Sequence, residues 1–234
     1  MKFSLIIPCY NEAKNIPLLL ERCASLALNE EAETEIILVD NGSTDETPQV
    51  LSLVLKDFPG CRSVRVETNK GYGFGILAGL NSAEGDILGW THADMQTDPV
   101  DVLAGLEYFQ EYGDNVFCKG ERFGRPLLDT FFTVGMSLFE SVLLQKPMWD
   151  INAQPTLFTR EFFLTWDRPP HDFSLDLYAY FIAKKDGLSV HRFPVYFGFR
   201  AFGVSHWNVG WKAKLNFIKR TLSYSFTLKR NLNK

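Results

Sequence analysis

Four polar side chains that could hold a cation follow a short apolar run near the middle of the chain. The run is Ile87–Trp90, and the polar residues after it are His92, Asp94, Gln96 and Asp98. Residues two apart in an extended chain point the same way, so the first three can converge on one ligand. Such donors suit a hard divalent cation, Mg²⁺ or Mn²⁺. The pattern predicts a metal site centred on Asp94, whereas Asp98 precedes a proline and is placed to cap a helix.

Two earlier apolar runs also end in polar residues. Phe3–Pro8 is followed by Tyr10 and Glu12, and a second buried run ends at Asp40. The carboxyl ends of parallel strands meet at one edge of a sheet, which is where α/β proteins bind ligands. Asp40 can accept hydrogen bonds from a nucleobase or a ribose, and Tyr10 and Glu12 can flank a nucleoside. Asp94 can hold a metal that bridges a diphosphate.

Alternating strand and helix patterns position these residues. The predicted strands are Phe3–Pro8, Glu35–Asp40, Arg62–Glu67, Ile87–Trp90 and Val116–Lys119. The predicted helices run from Glu12 to Leu28 with Asn11 as cap, from the turn at 41–45 to Lys56, from Gly73 to Ala83, and from Pro99 to Tyr112. This rhythm predicts an α/β fold with a mostly parallel sheet and helices on both faces.

The second half of the chain loses this rhythm. Its predicted elements are a charged loop at Gly120–Pro126, a long apolar helix at Leu127–Gln145, a turn and short strand at Asp150–Arg160, a helix at Phe173–Lys185, an edge strand at Ser189–Phe199 and a basic amphipathic helix at Trp211–Leu228. The apolar stripe of that last helix is Trp211, Leu215, Ile218, Leu222 and Phe226.

Composition and charge indicate the number of domains, the cellular compartment and the kind of partner. A chain of 234 residues with four dispersed cysteines suits one domain, or one domain with an extension, in a reducing compartment. The net charge is −4, yet nine basic residues and no acid follow Asp186. A basic end suggests an anionic partner. No RNA-binding motif is present, so we expect no nucleic acid. We expect a cytoplasmic protein whose last helix either contacts the cytoplasmic membrane face or closes the core.

The order of the motifs resembles that of family 2 glycosyltransferases, and most closely the dolichyl- or polyprenyl-phosphate mannose and glucose synthases. The segments that carry the resemblance are Ile6–Glu12, Val39–Asp45, Asn69–Gly73, Ala93–Gln96, Gly120–Arg122 and Phe197–Gly203. The resemblance implies a Rossmann-like nucleotide-diphosphosugar transferase fold of the GT-A type. Residues 1–210 would form this domain, and residues 211–234 a helix that is part of it or appended to it.

The resemblance also implies roles for individual residues. The donor-binding set is Pro8, Tyr10, Glu12, Asp40, Ala93 and Asp94. The metal set is Asp94 and Gln96, together with His92, which stands where the family usually has an acid. The catalytic set is Asp94, Arg122 and Arg200, with Asp172 as a candidate base that could equally cap the following helix. A metal and an arginine near the departing diphosphate would stabilise its charge in the transition state.

The implied reaction is the inverting, metal-assisted transfer of a hexose from a GDP- or UDP-sugar to a polyprenyl-phosphate acceptor. An alternative acceptor is a sugar hydroxyl in cell-surface polysaccharide synthesis, which would need a base such as Asp172. A third alternative is a protein that binds nucleotide sugars without transferring them, because His92 replaces an acid. The predicted helix Leu127–Gln145 lacks the arginine with which some lipid-phosphate synthases hold the acceptor.

Overall fold

A computed structural model describes residues 1–27, 32–202 and 211–232, with side chains except at 27, 128, 211–218 and 231–232. The strands are β1 (Lys2–Cys9), β2 (Glu33–Asn41), β3 (Cys61–Val66), β4 (Ile87–Trp90), β5 (Val116–Phe123), β6 (Thr156–Thr159) and β7 (Ser189–Tyr196). The helices are α1 (Ile16–Ala27), α2 (Thr47–Val54), α3 (Tyr72–Ser82), α4 (Val102–Tyr112), α5 (Leu127–Leu144), α6 (Arg160–Leu164), α7 (Ser174–Lys185) and α8 (Trp211–Leu232).

Seven strands of the described chain form one sheet in the order β3-β2-β1-β4-β6-β5-β7. Strands β1 to β4 pair in parallel, as do β5 and β7, while β6 runs antiparallel between β4 and β5. Helices α1, α2 and α4 pack on one face of the sheet, and α3, α6 and α7 pack on the other. The predicted α/β class and mostly parallel sheet are therefore confirmed.

The register brings three carboxyl ends to one edge of the sheet. Cys9 at the end of β1 pairs with Asp40 of β2, and Ile6 pairs with Trp90 at the end of β4. These strands are buried on both faces because apolar residues point alternately into the two cores: Ile6 joins one core, and Leu5 and Ile7 join the other. The chain that follows each strand emerges at this edge.

The predicted start of the first helix is wrong. The helix begins at Ile16, and Asn11 instead adopts a left-handed backbone with φ 57°. Its side-chain oxygen accepts hydrogen bonds from the backbone N–H groups of Thr44 and Asp45, at 2.9 and 3.3 Å. Asparagine tolerates this conformation better than most residues. Asn11 therefore connects the ends of β1 and β2 rather than capping a helix.

Asp98 caps the segment that precedes α4, as predicted. Its Oδ1 accepts a hydrogen bond from the backbone N–H of Val100 at 3.1 Å, and Pro99 occupies the first position of a short 3₁₀ turn. This turn, Pro99–Asp101, leads directly into α4. A proline at the first helical position and an aspartate before it are favourable helix-start signals.

Two strands in the second half end at other residues than predicted. Strand β5 continues to Phe123, so the predicted charged loop from Gly120 is wrong over its first residues. The reason is a parallel partner: β5 pairs with β7 from Val116 to Phe123, and this pairing tolerates charged side chains at an exposed end. Strand β7 ends at Tyr196, so the chain leaves the sheet before Phe199.

Helix α8 packs on α5 partly through the predicted stripe, since the ring of Phe226 contacts that of Phe139 edge to face at 6.4 Å, and partly through neighbouring positions. Ser225 and Leu228 are buried, whereas Phe226 is half-exposed. Ser225 donates a hydrogen bond to the buried carboxylate of Glu140 in α5, which explains why a polar residue faces inward. The stripe positions Trp211, Leu215 and Ile218 lie outside the described side chains. The proposed boundary at 210/211 stays a prediction. Over the described residues, no helix has both the length and the apolar character needed to cross a membrane.

Candidate active site

A loop after β7 closes over the ends of β1 and β4. Gly198 donates its backbone N–H to the carbonyl of Gln96 at 2.7 Å, and the Gln96 side-chain amide donates to the carbonyl of Gly198 at 3.2 Å. On the β1 side, the Asn15 amide donates to the carbonyl of Phe202 at 3.5 Å. Residues 197–202, which we call the closing loop, thus contact both strand ends.

Asp94 and Arg200 form an ion pair beneath the closing loop. Arg200 Nη2 lies 2.7 Å from Asp94 Oδ2, and the Asp94 side chain is almost fully buried. The other carboxylate oxygen accepts a hydrogen bond from the backbone N–H of Gln96 at 3.1 Å, across Met95, which has a positive φ of 60°. Strained backbone of this kind is common at functional sites. The structure therefore brings together three residues predicted from sequence: Asp94, Gln96 and Arg200.

Glu12 stands next to this ion pair. Burial raises the pKa of the Glu12 carboxyl, while a hydrogen bond from Asn15 and the charge of Arg200 act in the opposite direction. The carboxylate of Asp94 also raises the pKa of Glu12. Two carboxyl groups and one guanidinium thus share a largely enclosed space, an arrangement that favours a further cation.

Asp40 lies at the end of β2 with its carboxylate already engaged. Oδ1 accepts a hydrogen bond from the backbone N–H of Ser43 at 2.9 Å, and Oδ2 lies 2.6 Å from Arg65 Nη1. Arg65 is about half-exposed, whereas Asp40 is buried. A nucleobase would therefore have to share or replace the Arg65 contact in order to bind Asp40.

The remaining predicted donor residues lie at the same edge. Pro8 is partly buried within β1, and Tyr10 is exposed where the chain leaves that strand. Ala93 is buried beside Asp94. The predicted donor-binding residues therefore lie at one edge of the sheet, and their roles stay predictions.

His92 and Gln96 have different neighbours: His92 contacts aromatic side chains, whereas Gln96 contacts the closing loop. Its ring stacks on Tyr72 at a centroid distance of 5.7 Å, and Tyr72 stacks on Phe173 at 4.6 Å. Burial lowers the pKa of His92, and the charges of Asp94 and Asp176 act in the opposite direction. Desolvation thus favours the neutral imidazole, which is the form that binds a metal.

Few side chains of the site could bind a metal ion. Among residues 1–27, 32–202 and 211–232, no three His, Cys, Asp or Glu side chains group as metal ligands. The buried Asp94 carboxylate requires a positive partner, which is Arg200 in this structure. Asp94 can supply one oxygen ligand and Gln96 a second, so a divalent cation fits here when a diphosphate supplies further oxygens.

Arg122 lies inside β5 rather than after a strand, and its side chain is already paired. Nε donates to both carboxylate oxygens of Asp150, at 3.0 and 3.2 Å, and Nη2 contacts Oδ1 as well. Arg125 adds a second cation at 3.7 Å. Burial raises the pKa of Asp150, but the hydrogen bonds and charge of Arg122 outweigh it and leave the pKa below its usual value. A phosphate would therefore have to share or replace the Asp150 contact in order to bind Arg122, and the predicted role of Arg122 stays a prediction.

A buried ionic pair beneath the site was missed by the sequence analysis. Lys119 of β5 is fully buried and lies 3.6 Å from Asp176 of α7. Its ammonium group also donates to the carbonyl of Ala153 at 2.6 Å and to the hydroxyl of Thr156 at 2.9 Å. Burial lowers the pKa of Lys119 to about 8 and raises that of Asp176. The available signal was a lone charge within an apolar run, as in Leu175–Phe181.

Asp172 begins the turn into α7 and pairs with α8. Oδ1 accepts a hydrogen bond from the backbone N–H of Ser174 at 2.9 Å, and Oδ2 forms an ion pair with Arg220, whose Nε lies 3.2 Å away. The first contact supports the capping alternative. His171 turns its backbone carbonyl toward α3, where it accepts from the N–H of Phe74 at 2.9 Å.

Glycines allow the start of α3 to pack closely on this turn. A Cβ on Gly73 would lie 2.7 Å from the carbonyl oxygens of Pro170 and Asp172, and one on Gly71 would lie 2.4 Å from that of His171. Gly71 also has a φ of 117°, which side-chain-bearing residues rarely adopt. The glycine-rich motif therefore serves a close backbone approach that links the 170–172 turn to the site.

Comparison with known proteins identifies the family. The family described as "Glycosyl transferase family 2" matches residues 4–152, which is more than half of the chain. The undecaprenyl-phosphate 4-deoxy-4-formamido-L-arabinose transferase of Serratia proteamaculans is 37% identical over 117 residues, covering 49% of this chain and 36% of that protein. The Photorhabdus laumondii protein of the same name is 36% identical over 103 residues, covering 43% and 31%. The chain thus matches about a third of the length of these relatives.

A solved structure with the same fold covers nearly the whole chain. Glucosyl-3-phosphoglycerate synthase from Mycobacterium tuberculosis, in complex with Mn²⁺, UDP and glucosyl-3-phosphoglycerate, superposes with a TM-score of 0.71 at 18% identity, covering 97% of this chain and 79% of that one. At this identity the likeness establishes the GT-A fold alone. Together with the family match, it shows that the chain belongs to glycosyl transferase family 2.

Proposed function

We propose that this chain transfers a sugar from a nucleotide diphosphate sugar to a polyprenyl phosphate, with inversion and with the help of Mg²⁺ or Mn²⁺. The observation that carries the proposal is the buried Asp94–Arg200 ion pair at the edge where β1, β2 and β4 end. A carboxylate that can bind a metal and a cation that can bind phosphate are both needed to accept a departing diphosphate.

The donor would bind along the three strand ends. Asp40 would receive the base, Glu12 would lie beside the nucleoside, and Asp94 with Gln96 would hold the divalent cation. The cation supplies positive charge to the diphosphate. With a cation at Asp94, Arg200 would no longer be needed as the counter-charge of that carboxylate and could contact the same diphosphate from the closing loop. The Mn²⁺ and UDP of the mycobacterial structure support this proposal by analogy of fold.

A phosphate acceptor agrees with the contacts of Asp172. A sugar hydroxyl needs a base, whereas a phosphate monoester is already ionised. Both oxygens of Asp172, the candidate base from sequence, are engaged: one accepts a hydrogen bond from Ser174 and the other is paired with Arg220. These contacts suit a structural carboxylate better than a base. The named function of the two relatives, transfer to undecaprenyl phosphate, points the same way.

Helix α5 offers a surface for the membrane in which such an acceptor resides. Leu127, Phe131, Leu138 and Val142 lie on one stripe of this helix, and each is more than 60% exposed, from 66% to 89%. The neighbouring helix α8 carries basic residues and no acid. An apolar stripe beside a basic helix suits the surface of an anionic bilayer.

Transfer is tested with UDP- and GDP-sugars, Mn²⁺ or Mg²⁺, and undecaprenyl phosphate in detergent micelles. We expect radiolabel in the lipid fraction that depends on the divalent cation, with an inverted anomeric centre. If labelled sugar reaches only glycan hydroxyls, the acceptor is wrong; if no nucleotide sugar binds, the donor is wrong. Asp172→Asn separates the acceptor classes, because kcat falls strongly only when Asp172 is the base.

Membrane contact is tested by sedimentation with vesicles of phosphatidylcholine, with and without phosphatidylglycerol. Leu138→Ser with Val142→Ser should reduce binding to the anionic vesicles several-fold. The matched control is Leu53→Ser in α2, which removes an equally exposed leucine elsewhere. Equal binding by all three proteins would remove α5 from the proposed surface.

A further inference from the structure

His92 belongs to a stack of three aromatic rings. Its imidazole stacks on the ring of Tyr72 at a centroid distance of 5.7 Å and an angle of 30°, and Tyr72 stacks on Phe173 at 4.6 Å and 10°. Both distances lie in the range over which aromatic rings attract one another. The position of the imidazole is therefore set by rings that belong to α3 and to the turn before α7.

Tyr72 is held by a buried polar network. The side-chain amide of Gln154 donates to the hydroxyl of Tyr72 at 3.3 Å and to the carboxylate of Asp176. Asp176 in turn lies 3.6 Å from the ammonium group of Lys119. None of Gln154, Asp176 and Lys119 is more than 2% exposed. Buried polar groups that satisfy one another specify a single arrangement, so this network fixes the ring on which His92 packs.

The backbone around Tyr72 is fixed as well. Gly71 and Gly73, on either side of it, approach the backbone of residues 170–172 so closely that neither has room for a Cβ. The start of α3 therefore lies directly on this turn and cannot move toward it. Backbone contacts and the polar network together hold Tyr72 against the segment that follows β4.

The oxygen atoms that could bind a cation belong to residues that contact the closing loop. Asp94 Oδ2 lies 2.7 Å from Arg200, so a positive charge already occupies this side of the carboxylate. The Gln96 Nε2 group donates to the carbonyl of Gly198 at 3.2 Å, which leaves Oε1 as the atom of this amide that could bind a cation. Across the described ranges 1–27, 32–202 and 211–232, no trio of His, Cys, Asp and Glu side chains is grouped for metal binding, so His92 and Asp94 do not form one with Glu12.

We infer that His92 is not a metal ligand, and that its ring, held by Tyr72, supports the segment that carries Asp94. This inference rests on the proposed function, because it defines the cation site of the same enzyme. The ligands are then oxygen atoms of Asp94, Gln96 and the diphosphate. Such a set suits Mg²⁺ and Mn²⁺, whereas an imidazole ligand would add affinity for Ni²⁺ and Zn²⁺. Tyr72 is a positioning residue, since it acts through His92.

The first test compares His92→Phe with His92→Ala. Phenylalanine keeps a flat ring for the stack but has no nitrogen, whereas alanine removes both. Calorimetry measures UDP binding in the presence of Mn²⁺, with the thermal midpoint of each protein as a folding check. We expect His92→Phe to bind within threefold of wild type and His92→Ala to bind about tenfold more weakly, since groups that support metal ligands typically contribute this much. Equal losses in the two folded variants would overturn the inference.

The second test separates positioning by Tyr72 from a general effect on the fold. UDP binding is measured with and without Mn²⁺ in Tyr72→Leu, which removes the ring, and in Tyr72→Phe, which keeps it. We expect Tyr72→Leu to lose most of the gain in UDP affinity that Mn²⁺ provides, with metal-free UDP binding unchanged, and Tyr72→Phe to retain that gain. If metal-free UDP binding falls as much as the metal-dependent gain, or if neither variant changes the gain, Tyr72 does not position the cation site.

A spectroscopic measurement on the wild type needs no variant. Pulsed electron paramagnetic resonance of Mn²⁺ bound together with UDP detects a directly coordinated imidazole through its nitrogen coupling. We expect no such coupling, and we expect the ratio of Ni²⁺ to Mn²⁺ affinity to be the same in wild type and His92→Phe. Nitrogen coupling in a wild type that binds both Mn²⁺ and UDP would refute this inference alone. A wild type that binds neither would refute the proposed function together with it.

Discussion

Arg200 Nη2 lies 2.7 Å from Asp94 Oδ2, so the cation of the closing loop occupies the carboxylate at which we place the metal. Both partners are largely buried, and a buried charge without a partner is strongly unfavourable. The pair therefore satisfies both charges in the absence of a donor. A nucleotide diphosphate with its metal offers each partner a new counter-charge, which gives the loop a reason to rearrange when the donor binds.

Asp94→Asn should abolish metal-dependent binding of the donor. The substitution keeps the size of the side chain but removes the charge that attracts the cation. Calorimetric titration of UDP with and without Mn²⁺ measures the binding. The control is Asp98→Asn, four residues away, which should cost about 1 kcal/mol of stability at most and leave donor binding unchanged. Metal-dependent binding that persists in Asp94→Asn would refute the assignment.

Arg200→Ala should affect the metal and the diphosphate in opposite directions. Without the competing guanidinium, Mn²⁺ alone should bind Asp94 more tightly than in the wild type. UDP should bind more weakly, because the diphosphate loses a charge-assisted partner worth about 1.5–3 kcal/mol. Electron paramagnetic resonance of free Mn²⁺ follows the first effect, and calorimetry follows the second. Arg168→Ala removes a fully exposed arginine and serves as the control; parallel changes in both affinities would exclude the competition.

The sequence predicted the parts of this site that depend on local patterns. Asp94, Gln96 and Asp98 follow a buried strand directly, so their positions were fixed by where that strand ends. Arg122 lies inside β5 rather than after it because β5 pairs with the distant strand β7, and its contact with Asp150, 28 residues later, has no local pattern either. Asn11 resembled a helix cap because its side-chain oxygen can accept hydrogen bonds from backbone N–H groups. In the structure those N–H groups belong to the turn after β2 and not to the start of a helix. Contacts between distant segments decided each of these cases.

Lys119→Met should destabilise the protein by about 3–5 kcal/mol, because it leaves Asp176 buried without its cation. Lys119→Met combined with Asp176→Leu should recover part of that loss, since an apolar pair needs no counter-charge. Chemical denaturation of the three proteins at neutral pH measures the difference. The variant Lys2→Met serves as a comparison, because it breaks only an exposed ion pair with Glu84. We expect it to change the stability by no more than about 1 kcal/mol. Similar losses for Lys119→Met and Lys2→Met would show that the buried pair is not required for stability.

Glu140→Gln should remove a pH dependence from the stability of the protein. Burial raises the pKa of Glu140 from 4.5 to about 7, while the hydrogen bond from Ser225 acts in the opposite direction. Between these two values the folded state binds more protons at Glu140 than the unfolded state, so the free energy of unfolding falls as pH rises from 4.5 to 7. The cost reaches about 3 kcal/mol above pH 7, where the buried carboxylate is charged in both states. Glutamine stays neutral, so the variant should equal the wild type near pH 4.5 and exceed it at pH 8. Denaturation curves at both pH values measure the two stabilities. The comparison with wild type cancels the effect of all other titrating groups, and Glu107→Gln, at an exposed position, is the control. Equal stability of Glu140→Gln and wild type at pH 8 would mean that the contact between α5 and α8 carries no such cost.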